Sequence, residues 1–432
     1  MATNAAFYHH PDGVATERPK LMGRHMAGAG FLTGYARHAD VPRLYAYTQS
    51  AEHFADFERR VIAANPAAAP RVHIPRDALA RVAEPGCLSV PSPTIGSFAW
   101  ARRHRDQRAY SLCGVFHTTM GAEPMDAIGA LVTAPVQSWD AVVCPSQAIR
   151  RTVEHVLGTW CDHLGSLAGA QPSVAVQLPV IPLGVDADAF AGSEAARVAA
   201  RVALGIGADD VVVLFVGRLS YHAKANPYPL FVALEDAAAR VATPVRLVMA
   251  GWFANESIEA HFRSAARALC RRVAVSFVDG RTEAGRSQPW HAADVFASLV
   301  DNPQETFGLT PLEAMAAGLP VVAADWDGYR ESVRHGVDGF LVPTVTPEPG
   351  AGADLARRYH LGVDSYDRYI GGTAMAVAVD IGAATEAFAR LIGDAELRRR
   401  MGAAGRARAR ADFDWGVVVR RYQDLWAALA ER

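Results

Sequence analysis

The clearest chemical signal in the sequence is a pair of glutamates, Glu305 and Glu313, in the run 301–320. The run follows a short apolar stretch and opens an alanine-rich one, which predicts a strand, a loop and a helix in that order. Thr310 is a good N-cap, Pro311 suits the first helical position, and Glu313 follows the cap by three residues. Glu313 is thus explained as a capping-box residue. Glu305 lies on the preceding loop with no evident structural duty, and its carboxylate is suited to binding hydroxyl groups of a ligand.

The start of this predicted helix is also a candidate anion site. The backbone amides of Phe307, Gly308 and Leu309 lie at or just before the helix N-terminus, where unpaired N–H groups and the helix dipole favour negative charge. Glu305 precedes them at the carboxyl end of a predicted strand, where open α/β sheets bind their ligands. The run therefore predicts a site for a ligand that has both an anionic part and hydroxyl groups.

Two cations follow another predicted strand, 211–216, just after Gly217. Arg218 offers a planar fork of N–H donors and Lys224 a compact ammonium, and together they suit a diphosphate. Of the 43 basic residues, only Lys20 and Lys224 are lysine. Because arginine replaces lysine almost everywhere, we interpret Lys224 as retained for chemistry that a guanidinium does not supply.

The elements that must position these residues alternate between short apolar runs and alanine-rich helical segments. Continuous apolar strands separated by helices predict parallel sheets in an α/β fold. The periodicity breaks at 179–192 and then restarts, which predicts a second doubly wound domain. Segment 347–373 is rich in turn residues and is predicted to be an elaborated loop. The predicted strands are 43–48, 141–145, 211–216, 246–250, 274–278, 295–299 and 320–324.

Composition narrows the class of protein. A length of 432 residues predicts two domains, and a net charge of −2 provides no global field for nucleic acid or anionic membrane. Any membrane contact is expected to be peripheral at most. The five cysteines share no metal-ligand spacing and are interpreted as buried thiols in a reducing compartment. With no signal-peptide pattern and no run of 18 apolar residues, the expected location is cytoplasmic.

Taken together, these motifs resemble the retaining, metal-independent glycosyltransferases of family 4, also called group 1. Glu305 and Glu313 resemble the paired glutamates of that family, and Arg218 with Lys224 match its phosphate-binding pair. The run 180–186 resembles its interdomain signature.

The resemblance implies the GT-B architecture, in which two Rossmann-like domains face a central cleft. The acceptor-side domain is expected at 1–185 and the nucleotide-sugar domain at 186–412. The terminal helix, 413–432, is expected to cross back to the first domain.

The resemblance also implies residue roles. Glu305 is expected to contact hydroxyls of the donor sugar, Glu313 the ribose, and the two cations with the loop amides the diphosphate. The implied donor-binding set is Gly28, Gly30, Arg218, Lys224, Val278, Glu305, Thr306, Phe307, Gly308, Leu309 and Glu313.

Two of the implied roles fall in the first domain. The run 23–31, with Gly28 and Gly30, resembles the family's glycine-containing loop, whose amides approach the donor phosphate. The run 114–119 resembles the segment that brings a histidine, here His117, to the reacting sugar. The implied catalytic set is His117, Arg218, Lys224 and Glu305.

The expected activity is retaining transfer of a hexosyl group from a nucleotide diphosphate donor, with UDP-sugars preferred over GDP-sugars. The acceptor is expected to be a carbohydrate, a lipid-linked group or a small molecule. No metal or other cofactor is expected, because the Asp-x-Asp pairs 186–188 and 412–414 are interpreted as caps or turns. Two alternatives remain, a nucleotide-sugar epimerase of the same fold and a non-catalytic protein that binds sugar nucleotides.

Overall fold

The computed structural model describes residues 4–16 and 23–431, so Lys20 lies outside the described residues. The chain divides into two compact units, which we call unit 1 (Met1–Asp186 with Asp412–Arg432) and unit 2 (Ala187–Ala411). Each unit contains a six-stranded sheet whose neighbouring strands run parallel. The predicted α/β class is confirmed.

Unit 1 is built on a sheet of strand order β3-β2-β1-β4-β5-β6. Its strands are short, and β2, an interior strand next to the edge strand β3, is buried along its whole length, as a run of apolar residues between helices requires. The first part of the chain supplies β1 (Ala6–His9), α1 (Pro11–Val14), α2 (Gly23–His38), β2 (Leu44–Thr48), α3 (Ala51–Ala64), β3 (Arg71–Pro75), β4 (Cys87–Ser89), α4 (Gly96–Arg103), β5 (Ser111–Val115), α5 (Ala122–Thr133), β6 (Ala141–Val143) and α6 (Gln147–Ala168).

Unit 2 is built on a sheet of strand order β12-β11-β10-β7-β8-β9. A small antiparallel pair, β13 with β14, stands apart from this sheet. The elements are α7 (Glu194–Ala203), β7 (Val211–Val216), α8 (Pro227–Ala238), β8 (Val245–Gly251), α9 (Glu256–Leu269), β9 (Ala274–Asp279), α10 (Glu283–Ala292), β10 (Val295–Ser298), α11 (Leu309–Ala317), β11 (Val321–Ala324), α12 (Tyr329–Ser332), β12 (Gly339–Val342), β13 (Thr344–Val345), α13 (Ala353–His360), α14 (Tyr366–Ala374), β14 (Ala378–Val379), α15 (Ile381–Gly393) and α16 (Ala395–Arg408).

All seven predicted strands are present, with ends that differ by at most two residues from the prediction. The run 141–145 ends two residues early, before Pro145, and the run 320–324 begins one residue late, after Pro320. Proline lacks the N–H that a sheet ladder needs, so both ends have a direct cause. Among the described residues, no helix is both long and apolar enough to cross a bilayer.

The last helix, α17 (Trp415–Ala430), packs in unit 1 against α2. Asp414 caps it by accepting a hydrogen bond from the Gly416 amide at 2.8 Å. The Trp415 indole lies against two glycines of α2, where an added Cβ would approach it to 2.8 Å at Gly30 and 2.7 Å at Gly34. The predicted glycine loop at 23–31 is therefore wrong. Glycines four residues apart lie on the same face of a helix, and here the Trp415 ring packs on that face.

The segment 347–373 is also not the loop that its turn residues predicted. It forms most of two helices, α13 and α14, whose Tyr359 and Tyr369 rings stack with centroids 5.0 Å apart. Ser365 caps α14 through the Arg368 amide. The turn residues mark the approach to α13, whereas the helical part of the segment is stabilised by stacking and capping that the sequence does not show. We call this helical pair the insert.

Candidate functional site

The loops that follow β7 and β10 meet in unit 2, because the strand order reverses direction between these two neighbours. Ligands of doubly wound sheets bind at such a switch point, beyond the carboxyl ends of the strands. Three polar contacts tie the loops together. They are the Asn226 amide to Asp301 at 3.2 Å, Asn302 Nδ2 to the His222 carbonyl at 2.6 Å, and Lys224 Nζ to Glu305 Oε2 at 2.5 Å.

The Lys224–Glu305 ion pair is the centre of this cluster, and its side chains are only 17% and 13% exposed. Burial alone would lower the pKa of Lys224, but the Glu305 carboxylate outweighs burial and raises it. Burial would raise the pKa of Glu305, and Lys224 outweighs that effect in turn, so the pKa is lowered. Both groups are therefore charged at neutral pH. The inference that Glu305 has no structural duty is wrong, because it is the counterion of a buried lysine.

Tyr329 supports the same carboxylate, since its hydroxyl donates to Glu305 Oε2 at 3.4 Å and contacts Ser298 Oγ at 3.0 Å. Its ring also fixes the neighbouring loop. Gly308 has a φ of 86°, and a Cβ there would lie 1.9 Å from Tyr329 Cε1. Only glycine fits that position.

Arg218 lies in the same loop as Lys224, and its Nη2 donates to the Ala223 carbonyl at 3.0 Å. Burial lowers its pKa, and Asp367 and Tyr366 of the insert oppose that shift. The insert also reaches His222, whose Nε2 lies 3.8 Å from an Asp367 carboxylate oxygen. Within residues 4–16 and 23–431, no carboxylate oxygen lies within 4.0 Å of the Arg218 guanidinium, so its charge is available for an anion.

The helix after Glu305 begins earlier than the capping pattern predicts. Gly308 occupies the N-cap of α11 without a side-chain cap, and Thr310 is the second helical residue. The capping-box interpretation of Thr310 and Glu313 is therefore wrong. Thr310 Oγ1 is buried without a hydrogen-bond partner in the described structure. An uncapped helix N-terminus with a buried hydroxyl beside it is suited to bind an anion.

Glu313 lies on α11 in the electrostatic neighbourhood of Lys224. Burial raises its pKa to about 7, and Lys224 opposes the shift. Of the other predicted residues on this loop, Thr306 and Phe307 are buried and Leu309 is half-buried. The structure thus brings together the predicted residues of unit 2 from both loops, with one exception. Val278 lies on the edge strand β9, two strands away from β7.

The predicted residues of unit 1 have other surroundings. Gly28 and Gly30 lie inside α2, where helical amides bond to the preceding turn. That their backbone amides approach the donor phosphate stays a prediction. His117 follows β5 and lines a cavity of unit 1. Burial, with a contribution from Arg24, lowers its pKa to about 4, so the ring is neutral at pH 7.

Sequence reasoning missed three residues that build the site, Asp301, Asn302 and Tyr329. Asp301 and Asn302 lie a few residues before Glu305. Their position as polar residues at the end of a buried strand is the signal that could have identified them. Burial raises the pKa of Asp301 to about 7, although the Asn226 amide opposes this. Tyr329 lies 24 residues beyond Glu305, and no local pattern marks it.

The Asp-x-Asp pairs are engaged in other contacts. Asp186 pairs with Arg37 at 2.7 Å in unit 1, Asp188 pairs with Arg410 at 3.0 Å in unit 2, and Asp414 caps α17. Asp188 lies in the turn 187–190, as predicted, and both aspartates of the first pair also form ion pairs. Over the described part of the chain, no group of three or more His, Cys, Asp or Glu side chains is arranged to hold a metal ion.

Residues 210–355 match the family model described as Glycosyl transferases group 1, a segment that lies within unit 2 and contains the cluster around Lys224. A D-inositol 3-phosphate glycosyltransferase of Geodermatophilus obscurus is 35% identical over 206 residues, which cover 44% of this chain and 45% of that protein. The enzyme of the same name from Kribbella flavida is 38% identical over 194 residues, or 42% of each chain. The matches thus span less than half the length of these relatives. They confirm the resemblance to group 1 glycosyltransferases.

Two solved structures share the fold over nearly the whole chain. HepE from Anabaena, in complex with UDP, has a TM-score of 0.60 at 18% identity and covers 95% of this chain and 98% of its own. Sucrose-phosphate synthase from Thermosynechococcus elongatus has a TM-score of 0.55 at 18% identity, with coverage of 99% and 96%. At this identity the likeness establishes the fold, and the predicted GT-B class is confirmed.

Proposed function

We propose that this protein is a glycosyltransferase that moves a hexosyl group from a nucleotide diphosphate sugar to an acceptor hydroxyl. The observation that carries the proposal is the buried Lys224–Glu305 pair beside Arg218 and the uncapped start of α11, at the switch point of unit 2. UDP-sugars are the preferred donors and GDP-sugars the second choice, and the UDP complex of the structural relative HepE supports that order.

The charges of the cluster suit a diphosphate. Arg218 and Lys224 contribute two positive charges and Glu305 one negative charge, and Glu313, whose burial raises its pKa to about 7, is only partly ionised at neutral pH, so the cluster stays positive before the helix amides are counted. Arg218 presents a planar fork to phosphate oxygens and Lys224 a point charge. Thr310 Oγ1 supplies a further donor at the helix start. These groups stabilise the negative charge that grows on the diphosphate as the glycosidic bond breaks.

We assign the binding of the donor sugar to Glu305. Lys224 and Tyr329 both contact its Oε2. A carboxylate can accept about four hydrogen bonds, so a sugar hydroxyl can donate to the same group without displacing the lysine. Glu313 is assigned to the ribose and His117 to the reacting sugar, by resemblance to the family.

We further propose that the reaction retains configuration. We do not propose a double-displacement mechanism, which would need a nucleophile at the reacting carbon of the sugar. Glu305 is held by Lys224 and, by resemblance to the family, binds sugar hydroxyls away from that carbon. In the remaining route, the departing phosphate accepts the proton of the acceptor hydroxyl on the face that the leaving group vacates. An α-linked donor is expected to give an α-linked product, which NMR coupling constants of the first-formed product measure. A β-linked product would contradict both the mechanism and the family resemblance.

Incubation with a nucleotide-sugar donor, with and without an acceptor, distinguishes the two alternative functions from a transferase. An epimerase would convert the donor without any acceptor, and NMR of the donor would reveal a second sugar configuration. A non-catalytic binding protein would leave the donor unchanged under all conditions while still binding UDP. Release of UDP together with a new glycosidic linkage is the outcome expected for a transferase.

Transfer is expected to continue after treatment with EDTA. The positive potential at the diphosphate is supplied by Arg218, Lys224 and helix amides, and three of the four Asp-x-Asp carboxylates, those of Asp186, Asp188 and Asp414, are engaged in ion pairs or a cap. The measurement is the rate of nucleoside diphosphate release with and without chelator. Reversible loss of activity, restored by Mg²⁺ or Mn²⁺, would show that a metal is required.

A further inference from the structure

The insert, α13 with α14, begins where the parallel sheet of unit 2 ends. β12 runs parallel to its neighbour β11, so the chain leaves β12 at the edge where the carboxyl ends of the strands meet. The antiparallel pair β13–β14 closes the base of the excursion, with Thr344 opposite Val379. Next to it, the Asp380 amide donates to the Pro343 carbonyl at 2.9 Å. Both ends of the insert are therefore anchored at the edge of the sheet that carries the cluster around Lys224.

The insert is a folded element whose side chains hold each other in place. Arg358 donates to Asp364 through Nε at 2.7 Å and through Nη2 at 3.1 Å, and Arg368 lies 3.4 Å from the same carboxylate. The Asp364 side chain is only 7% exposed. Ordering a long excursion costs conformational entropy, which these ion pairs and the stacked Tyr359 and Tyr369 rings offset. The side chains of the insert therefore have defined positions on unit 2.

α14 packs on the loop between β7 and α8, which contains both cations of the cluster. An added Cβ at Gly371 of α14 would lie 3.0 Å from His222 Cβ, so the helix and the loop are in direct contact. His222 Nε2 lies 3.8 Å from Asp367 Oδ2, and the His222 carbonyl accepts from Asn302 Nδ2 at 2.6 Å. The loop is thus tied both to the insert and to the loop that follows β10.

The first turn of α14 brings a negative charge near Arg218. Tyr366 and Asp367 are the first two residues of the helix, and the Asp367 side chain is 73% exposed. Burial lowers the pKa of Arg218, and among the groups that oppose this shift Asp367 acts more strongly than Glu305. Burial raises the pKa of Tyr366 to about 12, although Arg218 opposes that shift, so this phenol is neutral at pH 7. Asp367 therefore brings an exposed carboxylate into the electrostatic surroundings of the proposed diphosphate site.

A carboxylate in the first turn of a helix also has a purely structural explanation. It interacts favourably with the helix dipole, and Asp354 occupies the same kind of position in α13. Asp354 pairs with Arg357 of its own helix at 3.0 Å, whereas Asp367 lies beside the loop that contains Arg218. The two aspartates share the structural role, so a comparison between them isolates the effect of a charge near the site.

A carboxylate beside a diphosphate site favours one class of sugar. It accepts hydrogen bonds from sugar hydroxyls, and it repels a second carboxylate. The charge of Arg218 is used by the diphosphate in the proposed complex, so it does not compensate a carboxylate on the sugar.

We propose that Asp367 is a specificity-determining residue of the donor site, which favours donors with an uncharged sugar over donors whose sugar carries a carboxylate. The inference rests on the proposed function, because it takes Arg218 as part of the diphosphate site. It adds a residue from α14, a helix that lies beyond the segment matched by the family model.

The test is isothermal titration of the full chain with UDP-glucose and UDP-glucuronate, which differ only in a hydroxymethyl or a carboxylate group on the sugar. UDP-glucose is expected to bind more tightly. Asp367→Asn is expected to reduce that preference by about fivefold, the effect of two unit charges about 4 Å apart in water. The ratio of the two affinities cancels any effect of the substitution on the shared UDP part. Asp354→Asn is the matched control and is expected to leave the ratio unchanged.

Salt provides a readout on the unaltered protein. The preference for UDP-glucose is expected to weaken at about 1 M salt, where the Debye length is about 3 Å and the repulsion between exposed charges is screened. If UDP binds, the inference is overturned by a lack of preference for UDP-glucose, by a preference that salt or Asp367→Asn leaves unchanged, or by equal effects of the two variants. If UDP itself does not bind, the proposed function fails and the inference fails with it.

Discussion

Replacing Lys224 with alanine is expected to lower the turnover number with a nucleotide-sugar donor by about 100- to 1000-fold, the usual cost of removing one preorganised charge-stabilising group. The ammonium lies in a buried cluster and is held in place by Glu305 at 2.5 Å. Its charge opposes the negative charge that grows on the leaving diphosphate. The rate of nucleoside diphosphate release at saturating donor measures the effect. Arg240→Ala is the control, because Arg240 forms an exposed surface pair with Glu386 and is expected to leave turnover unchanged.

A double variant separates this chemical role from a structural one. Loss of Lys224 leaves the Glu305 carboxylate buried without its cation, which by itself destabilises the protein. Adding Glu305→Gln removes that uncompensated charge, so the double variant is expected to regain thermal stability but to stay much less active than Glu305→Gln alone, which loses the same carboxylate and keeps the lysine. Recovery of turnover along with stability would show that Lys224 serves only as a counterion, and the donor-site assignment would fail.

The substitution Gly308→Ala is expected to destabilise unit 2 and to abolish donor binding. A Cβ at this position would lie 1.9 Å from Tyr329 Cε1, and the φ of 86° is unfavourable for alanine. Backbone strain of about 1–3 kcal/mol and overpacking of about 1–3 kcal/mol act together. Relief of the clash must move either Tyr329, which contacts Glu305, or the start of α11.

Gly350→Ala is the matched control for this substitution. Gly350 has a similar φ of 96°, but nothing lies within 4 Å of an added Cβ. The control therefore measures the backbone strain alone. Thermal unfolding and UDP affinity are the two readouts. Equal effects of the two substitutions on both readouts would mean that contact with Tyr329 is unimportant for the site.

Most residues of the cluster around Lys224 could be picked out in the sequence because they lie in two short runs, and whether they bind a donor stays a prediction. Glu305, the loop amides and α11 follow one strand, and Arg218 with Lys224 follow another, so two short runs contain most of the site. Parallel strands place their carboxyl ends at one edge of a sheet. The contact between Lys224 and Glu305, 81 residues apart, then follows from strand order, which the sequence did not reveal.

The predictions that were wrong concern local sequence patterns that are compatible with two different structures. Glycines at 28 and 30 fit a phosphate loop as well as a helix, and the structure places both inside α2, where Gly30 packs against Trp415. The capping pattern at Thr310 is satisfied in sequence, but the helix begins at Leu309 because Gly308 adopts a conformation that turns the chain there.

The central claim is that unit 2 binds the diphosphate of a nucleotide sugar through Arg218 and Lys224. Isothermal titration of the full chain with UDP and with uridine tests it most directly, because the two ligands differ only in the diphosphate. UDP is expected to bind on the order of 100-fold more tightly than uridine, and Lys224→Met is expected to reduce that ratio by about tenfold. Equal affinities for UDP and uridine, or a ratio that Lys224→Met leaves unchanged, would contradict the assignment of this site.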